Sequence, residues 1–358
     1  MAVAGELRKS GAEVSFLGTR DRMEAELVPA AGYEIDFLRV RGIDRRNPLK
    51  AARAGLEAVG AVGAARSALR RRSADVVLGG GGFVAGPAGL AATLTRTPLV
   101  LTEADSHLGL ANRMLAGRAR RVCLAFPIEG RSGERYLVTG RPVPEPVLAA
   151  DRGTARARFG ITTVALVVLV VGGSLGARSL NFAAVEAFAE GEGRDFGVLH
   201  LAGARDYVAL RERFDAAPHT EGYELIEYEP NLGDVLAASD LVLGRSGGSI
   251  FEFTAAGRPA VLVPYPHATG DHQRANARWM AGEGAAEIIE DDALDPASLL
   301  AEVGGILHDP ARLERMSAAA RALAKPDAAR VIADQVLDAC NPVGDKRRGS
   351  RHGRGSES

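Results

Sequence analysis

Between Leu241 and Gln273 an apolar run, a small-residue turn, a helix, a stop and a second apolar run follow one another, and no other stretch constrains the chain as strongly. Leu241-Val242-Leu243 ends in Gly244-Arg245-Ser246-Gly247-Gly248-Ser249-Ile250. That turn opens a helix that stops at Gly257, and Pro259 forbids its continuation. The second run, residues 260–263, ends in a polar loop. This is a strand–helix–strand unit, and in open parallel sheets ligands sit beyond the carboxyl ends of the strands.

The chemistry at those ends points to a nucleotide sugar. Ser246, Gly247, Gly248 and Ser249 leave backbone N–H groups bare at a helix start, where partial positive charge suits a phosphate. Glu252 lies about one turn further on, where a carboxylate can accept two hydrogen bonds from a ribose diol. Gln273 offers both a donor and an acceptor to sugar hydroxyls. Each has a plain reading as well: a Gly/Ser turn is common, Glu252 complements a helix dipole, and Gln273 is a loop residue.

The bulk numbers bound the rest. With 358 residues, 46% of them hydrophobic, the chain supports two domains. A net charge of −1 gives no global field toward nucleic acid. Cys123 and Cys340 lie far apart without metal or redox spacing, which fits a reducing cytoplasm. No apolar run reaches the ~20 residues that span a bilayer. Glu6, Arg8 and Lys9 interrupt any signal-peptide pattern.

The ordered set Arg-Ser-Gly-Gly-Ser (245–249), Glu252, Ala-Ala-Gly-Arg-Pro (255–259), Val-Pro-Tyr-Pro-His (263–267), Asp-His-Gln (271–273) and Asn276 resembles the MurG-type N-acetylglucosaminyltransferases of glycosyltransferase family 28. The resemblance covers nearly the whole chain except its basic tail. It implies an α/β GT-B fold, two Rossmann-like doubly wound parallel-sheet domains facing across a cleft. It also implies inverting transfer of N-acetylglucosamine from UDP-N-acetylglucosamine to lipid I, giving lipid II in peptidoglycan synthesis. The enzyme class is hexosyltransferase, and the place of work is the cytoplasmic face of the cell membrane, as a peripheral protein. No cofactor is implied, since the nucleotide sugar is a substrate. No Asp-x-Asp motif appears, and no metal site is expected.

In chain order, Ala2–Lys9 reads as a helix with no strand before it, whereas a doubly wound domain begins with a strand feeding a glycine-rich turn. We therefore expect that strand and the first glycine-rich loop to be missing before Met1, and with them the loop histidine that the resemblance implicates in catalysis. Thr19 or Asp21 caps the next helix, and 35–40 forms a strand. Arg41, Arg45, Arg46, Lys50, Arg53, Arg66, Arg70, Arg71 and Arg72 make a basic stretch with apolar residues at helical spacing. It reads either as a solvated amphipathic helix or as a contact with an anionic membrane surface. Glycines 55, 60 and 63 weigh against a rigid anchor.

The strand at 75–78 runs into Gly79-Gly80-Gly81-Gly82-Phe83, where consecutive glycines let a ligand approach the backbone. The resemblance makes Gly80, Gly81, Gly82 and Phe83, with Asp105, the side facing the lipid-linked diphosphate. The loop Thr102-Glu103-Ala104-Asp105-Ser106-His107 supplies the candidate proton carriers Glu103, Asp105 and His107; the catalytic base itself is unassigned. Gly140-Arg141-Pro142-Val143-Pro144 resembles a hinge in which the family arginine falls at Pro144, so Arg141 is the candidate replacement. Residues 164–171 form an unbroken apolar run suited to a central parallel strand. It leads into Gly172-Gly173-Ser174-Leu175-Gly176-Ala177-Arg178-Ser179-Leu180-Asn181. The resemblance implies donor contacts from Ser174, Arg141, Glu229 (main chain only), Ser246, Gly247, Gly248, Ser249, Ile250, Glu252, His272 and Gln273. His200 reads as packed within a strand.

The expected organisation is an acceptor- and membrane-facing domain over 1–139, a hinge over 140–163 and a UDP-sugar domain over 164–325. A terminal helix over 326–340 returns to the first domain, and a disordered basic tail spans 341–358. Two other readings share the same donor contacts: another GT-B UDP-sugar enzyme, such as a glycolipid glycosyltransferase or an epimerase, and a donor-binding remnant without catalysis.

Overall fold

The computed structural model describes residues 1–40, 48–161, 165–173, 176–191 and 193–340. Two compact units emerge, one of Val3–Thr139 together with the chain from Ala329 on, the other of Gly140–Ala328. Within the basic stretch, Arg41, Arg45 and Arg46 lie outside the described residues, as do the side chains of Lys50 and Arg53 and the whole of 341–358.

The first unit holds two parallel sheets. Strands β1 (Ser15–Gly18) and β2 (Glu34–Phe37) pair with each other. Strands β3 (Val77–Gly79), β4 (Leu99–Glu103), β5 (Arg121–Leu124) and β6 (Tyr136–Val138) follow in sequential order. Side chains alternate across this sheet, as the two-residue period of a strand requires. Leu99, Leu101, Val122 and Leu124 pack with Ala65, Leu69, Ala91 and Leu115 from the helices Pro48–Arg71, Gly82–Thr95 and Leu110–Leu115. Val100 and Cys123 point the other way, onto Leu7 of the helix Ala2–Lys9 and Ile332, Ala333 and Val336 of the helix Ala328–Cys340. Both faces are therefore covered. Cys123 acts here as an apolar filler, and burial pushes its thiol up to about 12.

Neither Thr19 nor Asp21 caps the following helix, Glu24–Ala30, whose first flanking residue is Met23. The roles are reversed. The carboxylate of Glu24 accepts from both the N–H (3.1 Å) and the hydroxyl (2.9 Å) of Thr19. Desolvation raises that carboxyl, but bonds from its own backbone N–H and from Thr19 outweigh it and hold the group below the usual range. Arg71 and Arg72, part of the basic stretch, are engaged by Asp36, and Arg72 also by Glu34.

The second unit is one six-stranded parallel sheet in the order β12-β11-β10-β7-β8-β9. Its strands are β7 (Val167–Val171), β8 (Gly197–Leu201), β9 (Tyr223–Ile226), β10 (Leu241–Gly244), β11 (Ala260–Leu262) and β12 (Ala286–Ile288). All of β7, β10 and β11 are buried, which is why they read as unbroken apolar runs. Leu180, Phe188, Leu210, Val303 and Ile306 cover one face, each exposed by no more than 0%. From β7 the chain winds outward through β8 and β9, then returns to place β10 on the other flank of β7. The topological switch point thus lies between β7 and β10, where open α/β sheets part their loops and bind ligands.

The stretch after Gly140 carries two short helices, Glu145–Ala149 and Arg152–Arg158. Asp151 caps the second by accepting from Thr154 N–H at 2.8 Å. Arg152 and Arg156 then reach the carbonyls of Ala237, Ala238 and Ser239 at the end of the helix Leu232–Ala238, and the carboxylate of Asp240. Guanidinium groups at that position satisfy the orphan carbonyls and oppose the negative end of the helix dipole.

Candidate functional site

The two loops at the switch point are built differently. After β7 the backbone doubles back so tightly that Gly172 leaves no room for a Cβ against Ala177. A hydrogen bond from Gly176 N–H to Gly173 O closes the turn at 2.9 Å. Gly173 and Gly176 take φ of 97° and 81°, the left-handed region that favours glycine. The chain then enters the helix Arg178–Val185. Ser174 lies outside the described residues.

After β10 the turn is held from behind. Ser246 is fully buried, and its hydroxyl donates to Gln273 O at 2.7 Å. Asn276 Nδ2 donates to Ser246 O at 3.0 Å. Ser246 therefore presents no hydroxyl to a ligand; it pins the turn to the helix His272–Gly282. Arg245 is also buried, donating to Val263 O, Pro264 O and the hydroxyl of Ser179 and pairing with Asp291. That network ties the end of β10 to the first turn of the helix after β7. Sequence reasoning named Arg245 only as part of a motif, since nothing in the chain around it announces Asp291.

On this frame Gly247, Gly248 and Ser249 face outward, partly exposed. Among the described residues no backbone carbonyl accepts from their N–H groups. Ile250 differs, because its side chain is wholly buried and its N–H already points to Gly247 O at 3.3 Å. Its side chain packs into the core. The helix Ile250–Ala255 is only 6 residues long, so its dipole is a minor part of the local field. The larger positive charge is Arg141, whose guanidinium overlies Gly248 so closely that no side chain fits there. Glu252 lies in the same neighbourhood. Burial pushes its carboxyl up, and the charge of Arg141 works against that shift.

Gln273 divides its two ends. Oε1 accepts from Tyr265 N–H at 3.0 Å, which leaves Nε2 turned toward Gly247, 3.9 Å from where a Cβ would stand. His272 begins the same helix, half-buried. Glu229 has its carboxylate committed to Asn231 N–H and Arg158, so only its main chain is available to a ligand. The structure thus gathers Arg141, Gly247, Gly248, Ser249, Glu252 and Gln273 around one turn.

In the other unit the glycine run lies at the carboxyl end of β3. Gly81 adopts φ 80° and ψ −170°, a conformation closed to other residues, and Gly82 opens the helix Gly82–Thr95 at φ 75°. Phe83 is half-exposed, with the Arg22 guanidinium 5.8 Å from its ring centroid. Beside it, at the end of β4, Glu103 is buried and fully engaged. It accepts from Asp105 N–H (3.3 Å), Gly109 N–H (2.8 Å) and Asn112 Nδ2 (2.9 Å). Those bonds make Glu103 the organiser of the 104–109 loop and leave it ill-suited to carry protons to a substrate. Asp105 is partly exposed and His107 exposed. Asn112 is the key of this loop; it also donates to Thr102 O at 2.9 Å. Among the described residues no group of three or more His, Cys, Asp or Glu could hold a metal ion.

The chain matches two halves of one family. Its residues 1–124 match the glycosyltransferase family 28 N-terminal domain and residues 167–332 the family 28 C-terminal domain. It is 39% identical over 352 residues to the UDP-N-acetylglucosamine--N-acetylmuramyl-(pentapeptide) pyrophosphoryl-undecaprenol N-acetylglucosamine transferase of Moorella thermoacetica, covering 94% of each chain. It is 40% identical over 343 residues to the protein of the same name from Methylococcus capsulatus, again covering 94% of each. Among solved structures, that of MurG from Acinetobacter baumannii superposes with a TM-score of 0.77 at 29% identity over 94% of both chains. The two Rossmann-like parallel-sheet units are those of the GT-B class. With both domain families matched in order and such relatives along nearly its whole length, the chain belongs to glycosyltransferase family 28.

Proposed function

We propose that this chain is a hexosyltransferase that moves N-acetylglucosamine from UDP-N-acetylglucosamine to the muramyl 4-hydroxyl of undecaprenyl-pyrophosphoryl-N-acetylmuramyl-pentapeptide, inverting the anomeric centre and releasing UDP. The product is the lipid-linked disaccharide of peptidoglycan synthesis. The observation that carries this reading is the 39–40% identity, along nearly the full length, to enzymes bearing that name. The site geometry supports it. In this reading the N–H groups of Gly247, Gly248 and Ser249, the turn Gly173–Gly176 and the Arg141 guanidinium receive the UDP diphosphate and stabilise its charge as it departs. Glu252 takes the ribose hydroxyls and Gln273 Nε2 a sugar hydroxyl. Ser174 and His272 complete the donor side, and the main chain at Glu229 meets the base. Asp105 and His107 are the candidates to accept the proton of the attacking hydroxyl, and Gly80, Gly81, Gly82 and Phe83 meet the acceptor diphosphate. The unit of Gly140–Ala328 is the donor domain and its companion the acceptor domain.

In this reading the nucleotide sugar and the lipid-linked acceptor meet at the cytoplasmic face of the membrane. No helix among the described residues is long and apolar enough to cross it. Leu90 and Leu94 of one helix and Leu110 and Met114 of the next are exposed, alongside exposed Arg113 and Arg118. Apolar side chains set among basic ones suit an anionic membrane surface. The test separates transfer from epimerisation, the other chemistry open to a GT-B UDP-sugar enzyme. UDP release that requires the lipid-linked acceptor supports transfer, whereas conversion of UDP-N-acetylglucosamine without acceptor overturns it.

A further inference from the structure

A buried polar chain runs through the second unit from β9 to the turn after β7. Tyr223 on β9 bonds His200 Nδ1 through its hydroxyl at 2.8 Å. His200 on β8 bonds Asn181 Oδ1 through Nε2 at 3.0 Å. Asn181, on the helix Arg178–Val185, donates from Nδ2 to Ala202 O at 2.8 Å and to Asp206 Oδ2 at 3.2 Å. His200 and Asn181 are 0% exposed and Asp206 1%, so every member must be satisfied internally.

Only one arrangement of protons satisfies this chain. A carbonyl and a carboxylate can only accept, so Asn181 Nδ2 is the donor to both and Oδ1 must accept. His200 Nε2 therefore carries the ring proton. Nδ1 is then bare, and the Tyr223 hydroxyl donates to it. Burial depresses the imidazole to about 3, so the ring is neutral in any ordinary buffer.

The far end of the chain touches the turn. A Cβ on Gly176 would stand 2.6 Å from Ala202 O, 2.8 Å from Asp206 Oδ2 and 3.3 Å from Asn181 Nδ2. The backbone at Gly176 thus rests against the Asn181 amide and the two acceptors that amide joins. We propose that His200 is a positioning residue for the donor site: through Asn181 it holds Gly176, and with it the entry to the helix Arg178–Val185, in place beside the UDP diphosphate. The proposal rests on the reading of Gly176 as part of the donor site.

Two polar replacements split the ring in half. In His200→Gln the side-chain amide reaches toward the place of Nε2 and can still donate to Asn181. In His200→Asn it reaches only toward Nδ1 and Tyr223. Losing one buried hydrogen bond at the positioning end should weaken UDP binding in His200→Asn by about tenfold. His200→Gln should stay within about threefold of wild type by the same reasoning. Affinity for a lipid I analogue, and kcat at saturating donor, should hold in both.

Calorimetry with UDP measures the first quantity, and urea midpoints report on folding. Equal UDP affinity in wild type and both folded variants overturns the proposal, as does a parallel loss of acceptor affinity. A measurement on the wild type covers the case in which the variants do not fold. In ¹⁵N-edited spectra the His200 Nε2–H resonance should move as UDP saturates, and a resonance that stays fixed overturns the proposal. A wild-type chain that binds no UDP removes the donor-site reading beneath it, a result distinct from wild-type binding that the variants leave unchanged.

Discussion

Arg141 places its guanidinium against the backbone of Gly248, in the space that a side chain there would occupy. The contact joins the Gly140–Pro144 segment to the turn after β10 and sets a permanent positive charge beside three outward N–H groups. Arginine suits this place because its planar fork donates to phosphate oxygens in pairs. Removing it in Arg141→Ala should raise KM for the nucleotide sugar by about 10- to 100-fold, the range for losing a charge-assisted hydrogen bond. Gly248→Ala should displace the guanidinium and raise the same KM. Because both act on one contact, the double variant should fall well short of the product of the singles. Steady-state kinetics on the three variants checks this.

Glu252 is expected to trade stability for binding. Its carboxyl is pushed above its ordinary value of 4.5 by burial, partly offset by Arg141. A raised carboxyl pKa in the folded state means that ionisation disfavours folding. The stability is fully present below the unfolded value and is lost as pH rises from there through the folded value. Glu252→Gln should therefore melt higher than wild type at neutral pH. The difference should shrink as pH falls toward 4.5, while the variant binds the nucleotide sugar more weakly. Thermal scans across pH 4 to 8 measure the first effect and donor KM the second.

Glu103 and its neighbours separate scaffold from chemistry. Glu103→Gln forces its NH₂ group against a backbone N–H donor and should lower folding stability by about 1–3 kcal/mol. Asp105→Asn and His107→Gln touch no such network and should leave stability nearly unchanged. Whichever of the two carries the proton should lose kcat by about 10²- to 10⁴-fold. Urea midpoints and kcat on the three variants decide the roles; a Glu103→Gln variant of normal stability and abolished kcat would return Glu103 to the chemistry.

The exposed apolar side chains on the helices Gly82–Thr95 and Leu110–Leu115 give a prediction for membrane contact. Leu94→Glu and Met114→Glu should reduce co-sedimentation with vesicles containing anionic lipid. Each places a charge where an apolar side chain would enter the headgroup region. Turnover of a water-soluble acceptor analogue should be unaffected. Equal vesicle binding by both variants would move the membrane contact elsewhere.

Much of the fold was legible because its strands are doubly covered. A strand buried on both faces cannot hide its apolar run, so β7, β10 and β11 stand out as words in the sequence. Gly257, with φ 66°, likewise marks a helix end where the sequence places one. Side-chain partnerships were less legible, because they join residues distant in the chain. Thr19 looked like a cap, but the carboxylate of Glu24 dictates the local bonds. Glu103 looked like a proton carrier until Asn112 was seen donating to it. His200 was correctly read as packed, yet its partners lie 23 and 19 residues away, on another strand and a helix. Ser246 carries the motif's hydroxyl but spends it on Gln273 O. Motif order picked out the two loops at the switch point, whereas the division between residues that face outward and those that hold the loop required the structure.

The most direct test of the central claim is a transfer assay with radiolabelled UDP-N-acetylglucosamine and a lipid I analogue. Appearance of label in the lipid-linked disaccharide, with stoichiometric UDP and dependence on Arg141, is the predicted result. Donor binding with no transfer of label to the muramyl acceptor would contradict the account.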